Sequence, residues 1–187
     1  MAQRTGKDGS NALKREVTVT VERRTAASAD AVYDVLSDPS THASWGGVPP
    51  KGKVGLVSIE APAGEAMVGT EWTSTGLDPM GRFADRSVVT QAVRPSLFEF
   101  VTEARLTTKK GEVADWTNVN RYELRSDGDG CAIAYTLRVV RISALPGMLR
   151  VFNLPGLSAL AVKASTRVAR HGVERLAAHV EQRADVR

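Results

Sequence analysis

The segment 27–45, ASADAVYDVLSDPSTHASW, is the most informative part of the chain. Ser28 is suited to cap a helix, because its hydroxyl can accept a hydrogen bond from a backbone N–H of the first turn. Asp30 lies in that turn, where a carboxylate faces the positive end of the helix dipole. The apolar residues that recur at helical spacing are Val32, Val35 and Leu36. The segment therefore predicts a short amphipathic helix.

Pro39 ends this helix near Asp38, because the residue before a proline avoids helical geometry. Ser40–Trp45 predicts one further helical turn before two glycines break the chain. Upstream, residues 17–22 (VTVTVE) alternate apolar and polar side chains with a period of two. That period is typical of a strand with one covered face. A strand followed by two short helices is expected.

Length and composition predict one domain over residues 16–184. The chain has 187 residues, of which 42% are apolar and 25% charged, as in ordinary soluble proteins. Residues 1–15 are polar and without periodicity, which predicts a mobile tail. No apolar run approaches the roughly 20 residues of a spanning helix, and residues 1–14 lack the hydrophobic centre of a signal peptide. We therefore expect a cytoplasmic protein without a transmembrane segment.

Charge, cysteine and histidine content argue against several classes of site. Cys131 is the only cysteine, so an internal disulfide is excluded. The net charge of +4 is scattered rather than packed into a basic block, so nucleic-acid binding is not expected. His171 and His179 are eight residues apart, on about the same face of a predicted helix, but without a third ligand. We predict no metal site and no cofactor.

Residues 54–142 carry strand patterns separated by turn signals that are rich in Gly, Pro and Asp. Short connections of this kind imply antiparallel neighbours. The predicted strands are Val54–Glu60, Thr70–Thr75, Phe83–Val93, Leu97–Arg105, Val113–Leu124 and Cys131–Ile142.

A long helix is predicted near the C-terminus, with an apolar stripe at spacings of three or four residues. The stripe consists of Ala161, Ala164, Val168, Gly172, Leu176 and Val180. The whole order is a strand, two short helices, six strands and a long helix. This is an α+β layout in which one antiparallel sheet must cover the stripe of the helix.

At this point the chain resembles the START-like, or SRPBCC, superfamily, which has the Bet v 1-like helix-grip fold. It is most similar to the branch of polyketide cyclases/dehydrases and lipid-transport proteins. The features that carry the resemblance are the strand VTVTVERRT (17–25), the helix Ala26–Leu36, Asp38-Pro39, Trp45, Gly69-Thr70-Glu71-Trp72, Pro95, and Tyr122-Glu123-Leu124 before Gly130. The resemblance implies a curved seven-stranded antiparallel sheet wrapped around the C-terminal helix, with a ligand pocket between them.

Strand alternation predicts which side chains line that pocket. On the strand 113–124, one face carries fewer charges than the other and should point inward. The same reasoning turns the rings of two other strands inward. The predicted ligand-binding residues are Trp72, Phe98, Phe100, Trp116, Asn118, Asn120 and Tyr122. Two alternatives stay open: the rings could simply fill the core, and the two amides could be exposed or satisfy each other.

For several residues near the expected pocket, the sequence leaves the position undecided or favours a structural role. The strand 83–93 has no clear parity, so whether Asp85 or Arg86 enters the pocket is undecided. His42 is expected to be an exposed polar residue rather than a catalytic one. Trp45 could lie at the mouth of the pocket, but it is expected to cover one end of the core. Residues 148–152 could form a gate over the pocket, but ordinary packing is favoured.

These observations favour binding of a small hydrophobic or amphipathic molecule, such as a lipid, isoprenoid or polyketide, by a monomer or weak dimer. An alternative is a cyclase or aromatase that folds a poly-β-ketone in the same pocket, with Tyr122 as a proton donor. A weaker alternative is an interaction protein with a vestigial pocket, whose basic helix surface at Lys163, Arg167 and Arg170 meets an acidic partner or a membrane surface.

Overall fold

The structure, a computed structural model, describes residues 16–46, 55–142 and 158–184. The predicted tail over residues 1–15 and the segment 148–152 lie outside the described residues. The helices are α1 (Ala29–Leu36), α2 (His42–Trp45) and α3 (Ser158–Ala184), with a 3-10 turn at Pro39–Thr41. The strands are β1 (Val17–Thr25), β2 (Gly55–Glu60), β3 (Glu71–Asp78), β4 (Gly81–Val93), β5 (Leu97–Thr108), β6 (Val113–Asp127) and β7 (Gly130–Ile142).

Helix α1 forms for the reasons that its sequence indicates. The Ser28 hydroxyl accepts a hydrogen bond of 3.2 Å from the Ala31 N–H, and Asp30 lies in the first turn. The apolar side of α1, with Val32 and Leu36, is at most 1% exposed. The helix ends at Leu36, and the Asp38 carboxylate accepts a hydrogen bond of 3.1 Å from the Ser40 N–H to begin the 3-10 turn.

The strands form one antiparallel sheet in the order β1-β7-β6-β5-β4-β3-β2. The pairing register shifts at three places: after Leu56 on β2, after Val89 on β4 and after Thr117 on β6. Extra residues of this kind bend and twist a sheet. The curved sheet and α3 give the helix-grip fold that the resemblance implies.

Most strands are longer than the sequence predicts, because two of the turns are tighter than expected. Asp78 pairs directly with Gly81, and Asp127 pairs with Gly130, so each turn contains only two residues. Gly130 is required by a close approach of β1, since a Cβ there would lie 2.3 Å from the Thr25 carbonyl oxygen. The strand ends differ from the predicted ones by up to three residues.

The apolar stripe of α3 lies on a different line from the predicted one. Its buried residues are Ala169, Val173, Leu176, Ala177 and Val180. Leu176 and Val180 are buried as predicted, but Val168 is 52% exposed and Gly172 is half-buried. A row of residues four apart turns by about 40° at each step around a helix, so the predicted row leaves the core face within three steps. The side chains of Ala161 and Ala164 lie outside the described residues.

The core fills one end of the space between the sheet and α3. Its largest fully buried side chains include Trp45, Tyr33, Phe98, Leu36, Ile133 and Leu176. They come from α1, α2, the start of β5, the start of β7 and the second half of α3. No helix among the described residues is long and apolar enough to cross a membrane.

Candidate ligand-binding cavity

A cavity of about 510 Å³ occupies the other end of this space, between the concave face of the sheet and α3. Its volume falls within the range of small-molecule sites in proteins, which is about 300–1,000 Å³. The inward residues of β3 to β7 form most of its wall. Val168, Ala169 and Gly172 of α3 close the opposite side.

An aromatic cluster lines the part of the cavity next to α2. The imidazole of His42 stacks on Trp45, with ring centroids 4.1 Å apart, and lies 5.5 Å edge-on from Phe100. The rings of Trp72 and Phe100 are 5.0 Å apart. Tyr122 closes the cluster against Trp45 at 6.3 Å. This wall is therefore apolar and flat-faced.

The prediction that His42 is exposed is wrong. Three residues before Trp45 on a helix, it shares the face that Trp45 turns into the protein. Gly46 makes room for it, because a Cβ on Gly46 would lie 2.4 Å from the imidazole Cδ2. Burial lowers the pKa of His42 to about 4, so the ring is neutral near pH 7. Its Nδ1 is enclosed and has no hydrogen-bond partner within the described ranges.

On β4, whose inward face the sequence leaves open, Asp85 enters the cavity and Arg86 does not. Asp85 lines the wall on β4, whereas Arg86 points to the outer face and pairs with Glu71 at 2.6 Å. Burial raises the pKa of Asp85 to about 6, and the backbone N–H of Arg105 limits that rise. Oδ1 of Asp85 is enclosed, and no described residue gives it a hydrogen bond. The cavity thus holds a carboxylate that titrates near neutral pH.

A chain of hydrogen bonds crosses four strands on the cavity wall. The hydroxyls of Ser87 and Thr102 are 2.9 Å apart, and the Asn120 amide N–H donates to Thr102 over 3.3 Å. The Tyr135 hydroxyl donates to Asn120 Oδ1 over 2.8 Å. Tyr135 also stacks on Tyr122 at 4.5 Å. The hydrogen-bond partners of the Asn120 amide are therefore Thr102 and Tyr135, and the two asparagines do not satisfy each other.

The two asparagines of β6 differ in whether their side-chain oxygens accept a hydrogen bond. Asn118 also lines the cavity, but its Oδ1 is enclosed and, within the described part of the chain, accepts no hydrogen bond. An enclosed amide oxygen without a donor costs about 1–3 kcal/mol. Few buried polar atoms in proteins are left in this state, so Asn118 is unusual among the residues of the cavity wall.

Tyr122 is a weak acid in this environment. Burial raises its pKa well above the usual 10, and the charge of Tyr135 and the hydrogen bond with it act in the same direction. Burial also raises the pKa of Tyr135. Tyr122 therefore stays protonated, and Asp85 is better matched than Tyr122 to proton transfer near pH 7.

The structure brings most of the predicted site residues together. Trp72, Phe100, Trp116, Asn118, Asn120 and Tyr122 line the cavity. Phe98 does not: it points inward as predicted but is fully buried in the core, where its ring meets Tyr33 edge-on at 5.9 Å. The predicted set omits His42, Asp85, Ser87, Thr102 and Tyr135.

Two of these omissions had a signal in the sequence. Asp85 shares strand parity with Phe83 and Ser87, but the irregular pairing between Val89 and Gln91 hides that parity further along the strand. His42 is one helical turn from Trp45. The hydroxyls of Ser87 and Thr102 gave no such signal, because exposed and buried hydroxyls look alike in a strand pattern.

The two C-terminal histidines are not part of the cavity. His171 is exposed and His179 is half-buried on α3. In the described ranges, no three His, Cys, Asp or Glu side chains come together in a way that could hold a metal ion.

Comparison with known proteins supports the same fold. The Mll3558 protein from Rhizobium loti is 20% identical over 88% of this chain and 96% of its own, with a TM-score of 0.60. A protein from Rhizobium leguminosarum is 15% identical over 92% and 98% of the two chains, with a TM-score of 0.60. Ara h 8.0201 is 12% identical over 90% and 99%, with a TM-score of 0.58. A search of curated proteins found no match.

A family profile described as "Polyketide cyclase / dehydrase and lipid transport" matches residues 16–181. The match begins just before β1 and ends near the end of α3, so it spans every element that forms the sheet and the cavity. The chain therefore belongs to the polyketide cyclase/dehydrase and lipid-transport family of the SRPBCC superfamily.

Proposed function

We propose that the protein binds one small amphipathic molecule in the cavity between the sheet and α3. The observation that carries this proposal is a hollow, aromatic-lined space whose wall includes two polar side chains, Asp85 and Asn118, with enclosed oxygens that the described residues leave without a donor. A ligand that fills the space would bury its apolar body and satisfy these oxygens.

The apolar body would supply most of the affinity. Burying about 300 Å² of apolar ligand surface is worth about 7.5 kcal/mol at 25 cal/mol per Å², before the costs of association. The rings of Trp72, Phe100 and Trp116 favour a flat or cyclic body, because aromatic faces pack well on one another. The polar oxygens would then fix the orientation of the ligand.

Native mass spectrometry of protein purified gently from its own host tests this proposal. We expect a bound hydrophobic molecule in a one-to-one ratio. The Asn118→Leu variant should retain less of it, because Leu cannot pair with the polar group of the ligand. The control is Thr107→Leu, which changes an exposed polar residue on β5 to the same side chain. Equal retention by the two variants would refute the role of Asn118.

A second candidate function is a cyclase or dehydratase that uses the same cavity, and one observation favours it. Asp85 lines the cavity and has a pKa of about 6, which suits a general base or acid near neutral pH. As a base it could take the acidic proton between two carbonyls, so that the carbanion attacks a third carbonyl and a carbon–carbon bond forms. The π bond of the attacked carbonyl opens to an alkoxide, which takes the proton back from Asp85 and leaves a hydroxyl group.

Asp85→Asn separates the two functions. If the protein is an enzyme, this variant should bind a poly-β-ketone analogue but lose cyclisation by a factor of about 10²–10⁴. The open cavity also counts against an interaction protein with a vestigial pocket, although Lys163, Arg167 and Arg170 are exposed on α3.

A further inference from the structure

The charges that line the cavity are all acidic in the part of the chain that the structure describes. Asp78 and Asp85 are the two carboxylates, His42 is neutral near pH 7, and neither lysine nor arginine is among the described lining residues. Asp78 is engaged in a turn, where its Oδ1 accepts a hydrogen bond of 2.8 Å from the Met80 N–H. Asp85 also accepts a backbone N–H, from Arg105, but it differs from Asp78 in having an enclosed oxygen to which no described residue donates, so Asp85 is the carboxylate that a ligand would pair with.

Asp85 has no basic side chain beside it on the inner face of the sheet as described. Its direct partners on β3 and β5 are Ser74 and Ala104, and Phe83 and Ser87 flank it on β4. Arg86 is on the outer face, where it pairs with Glu71 at 2.6 Å and with Glu103 at 3.8 Å. The sheet thus separates the Asp85 carboxylate from the neighbouring guanidinium.

The register of the sheet places two tryptophans on the same wall of the cavity as Asp85. Trp72 lies diagonally across from Asp85 on β3, because it pairs with Ser87, and such diagonal neighbours are about 7–8 Å apart. Trp116 lies on the same row of the sheet, two strands away through Ala104. The faces of tryptophan rings attract cations, most strongly where water is excluded.

We propose that the cavity selects amphiphiles whose polar end is an ammonium group, which pairs with Asp85 and contacts the faces of Trp72 and Trp116. This inference rests on the proposed function, since it names the polar end of the same ligand. A ligand with a carboxylate would instead place a second negative charge beside Asp85, with no basic residue of the described wall to neutralise it.

The test uses three probes that share one naphthyl body and differ in the polar end: 2-(1-naphthyl)ethylamine, 2-(1-naphthyl)ethanol and the carboxylate of 1-naphthaleneacetic acid. Their affinities for the full chain are measured by titration calorimetry at pH 8, where Asp85 is ionised. We expect the amine to bind about ten-fold more tightly than the alcohol, because hydrogen bonds between charged groups are the stronger ones. The carboxylate should bind more weakly than the alcohol.

Two variants assign the preference to Asp85. Asp85→Asn should lower the affinity of the amine to that of the alcohol and raise the affinity of the carboxylate. Glu103→Gln is the matched control, because it removes a negative charge from the outer face of the adjacent strand, where the side chain is 70% exposed. The order of the three probes should be unchanged in that variant.

Each other outcome overturns the inference. It is wrong if the carboxylate or the alcohol binds wild-type protein as tightly as the amine, a comparison that needs no variant. It is also wrong if the amine keeps its advantage in folded Asp85→Asn. If none of the probes and no neutral dye such as Nile red binds, the proposed function fails as well, which distinguishes the two failures.

Discussion

The Tyr135 hydroxyl donates a hydrogen bond of 2.8 Å to Asn120 Oδ1, and this bond links β7 to β6 on the wall of the cavity. Both residues are buried, with exposed fractions of 7% and 9%. The bond extends the chain of polar contacts through Thr102 to Ser87. Polar contacts therefore link four strands of the cavity wall, where the cavity leaves the side chains without apolar packing.

Tyr135→Phe should lower the free energy of unfolding by about 1–2 kcal/mol. The change removes the hydroxyl and leaves the Asn120 oxygen enclosed without its donor. Urea unfolding followed by circular dichroism measures the effect. The control is Thr136→Val, which removes an exposed hydrogen bond with Thr20 from the outer face of the same strand. A loss in Tyr135→Phe no larger than in this control would contradict a structural role for the bond.

Phe98→Ala and Phe100→Ala should separate the core from the cavity. Phe98 is fully buried against Tyr33, so its loss should cost about 3–5 kcal/mol of stability. Phe100 borders the cavity, so its loss should cost less stability but weaken the binding of Nile red. Melting temperatures and dye titrations of both variants test this. Weaker dye binding by folded Phe98→Ala alone would reverse the assignment.

Asp85→Asn should stabilise the protein above pH 6. Burial raises the pKa of Asp85 from 3.8 to about 6, so the folded protein holds this proton more tightly than the unfolded chain does. The contribution of Asp85 to stability is therefore full below about pH 4, falls as the pH rises to 6, and stays low above it. The loss is about 3 kcal/mol at most. Unfolding curves at pH 4, 6 and 8 should show the variant gaining stability only at the higher values.

His42→Phe should make the protein more resistant to acid. Burial lowers the pKa of His42 from 6.5 to about 4, so the neutral ring stabilises the fold above pH 6.5 and this contribution is lost as the pH falls to 4. The loss of folding free energy is about 3 kcal/mol at most. Phe keeps the stacking on Trp45 but cannot titrate. Equal acid sensitivity of wild type and variant between pH 6.5 and 4 would count against a buried neutral His42.

The elements and their order were readable from the sequence, because local signals specify them. Ser28 and Pro39 mark the ends of α1, and the alternation of β6 shows which face is inward. The line of buried residues on α3 was not readable to the same degree. Val168 and Leu176 look alike in a periodic pattern. A row of residues four apart drifts by about 40° at each step, and the pattern does not show where on that row the buried face is centred. Val168 therefore borders the cavity, whereas Leu176 lies in the core.

The candidate site was predictable where alternation is clean and not where it is broken. Trp116 and Asn118 follow from the regular face of β6. Asp85 lies on a strand whose pairing shifts further along, and the inward turn of His42 depends on a contact with distant residues of β3 and β5. The position of His42 one helical turn before Trp45 is compatible with this inward turn, but the long-range packing that fixes it is not visible in a short window of sequence.

Gly172→Phe tests whether the open cavity takes up an apolar molecule. A Cβ on Gly172 meets no atom within 4 Å, so a larger side chain can enter the cavity from α3 without a clash near the backbone. Phenylalanine is also a better helix former than glycine, so the variant should fold. The control is Ala178→Phe, on the exposed side of α3. We expect Gly172→Phe to bind Nile red at least about ten-fold more weakly than wild type, a loss of about 1.4 kcal/mol, while Ala178→Phe binds it normally. Undiminished binding by folded Gly172→Phe would show that the dye does not occupy this cavity.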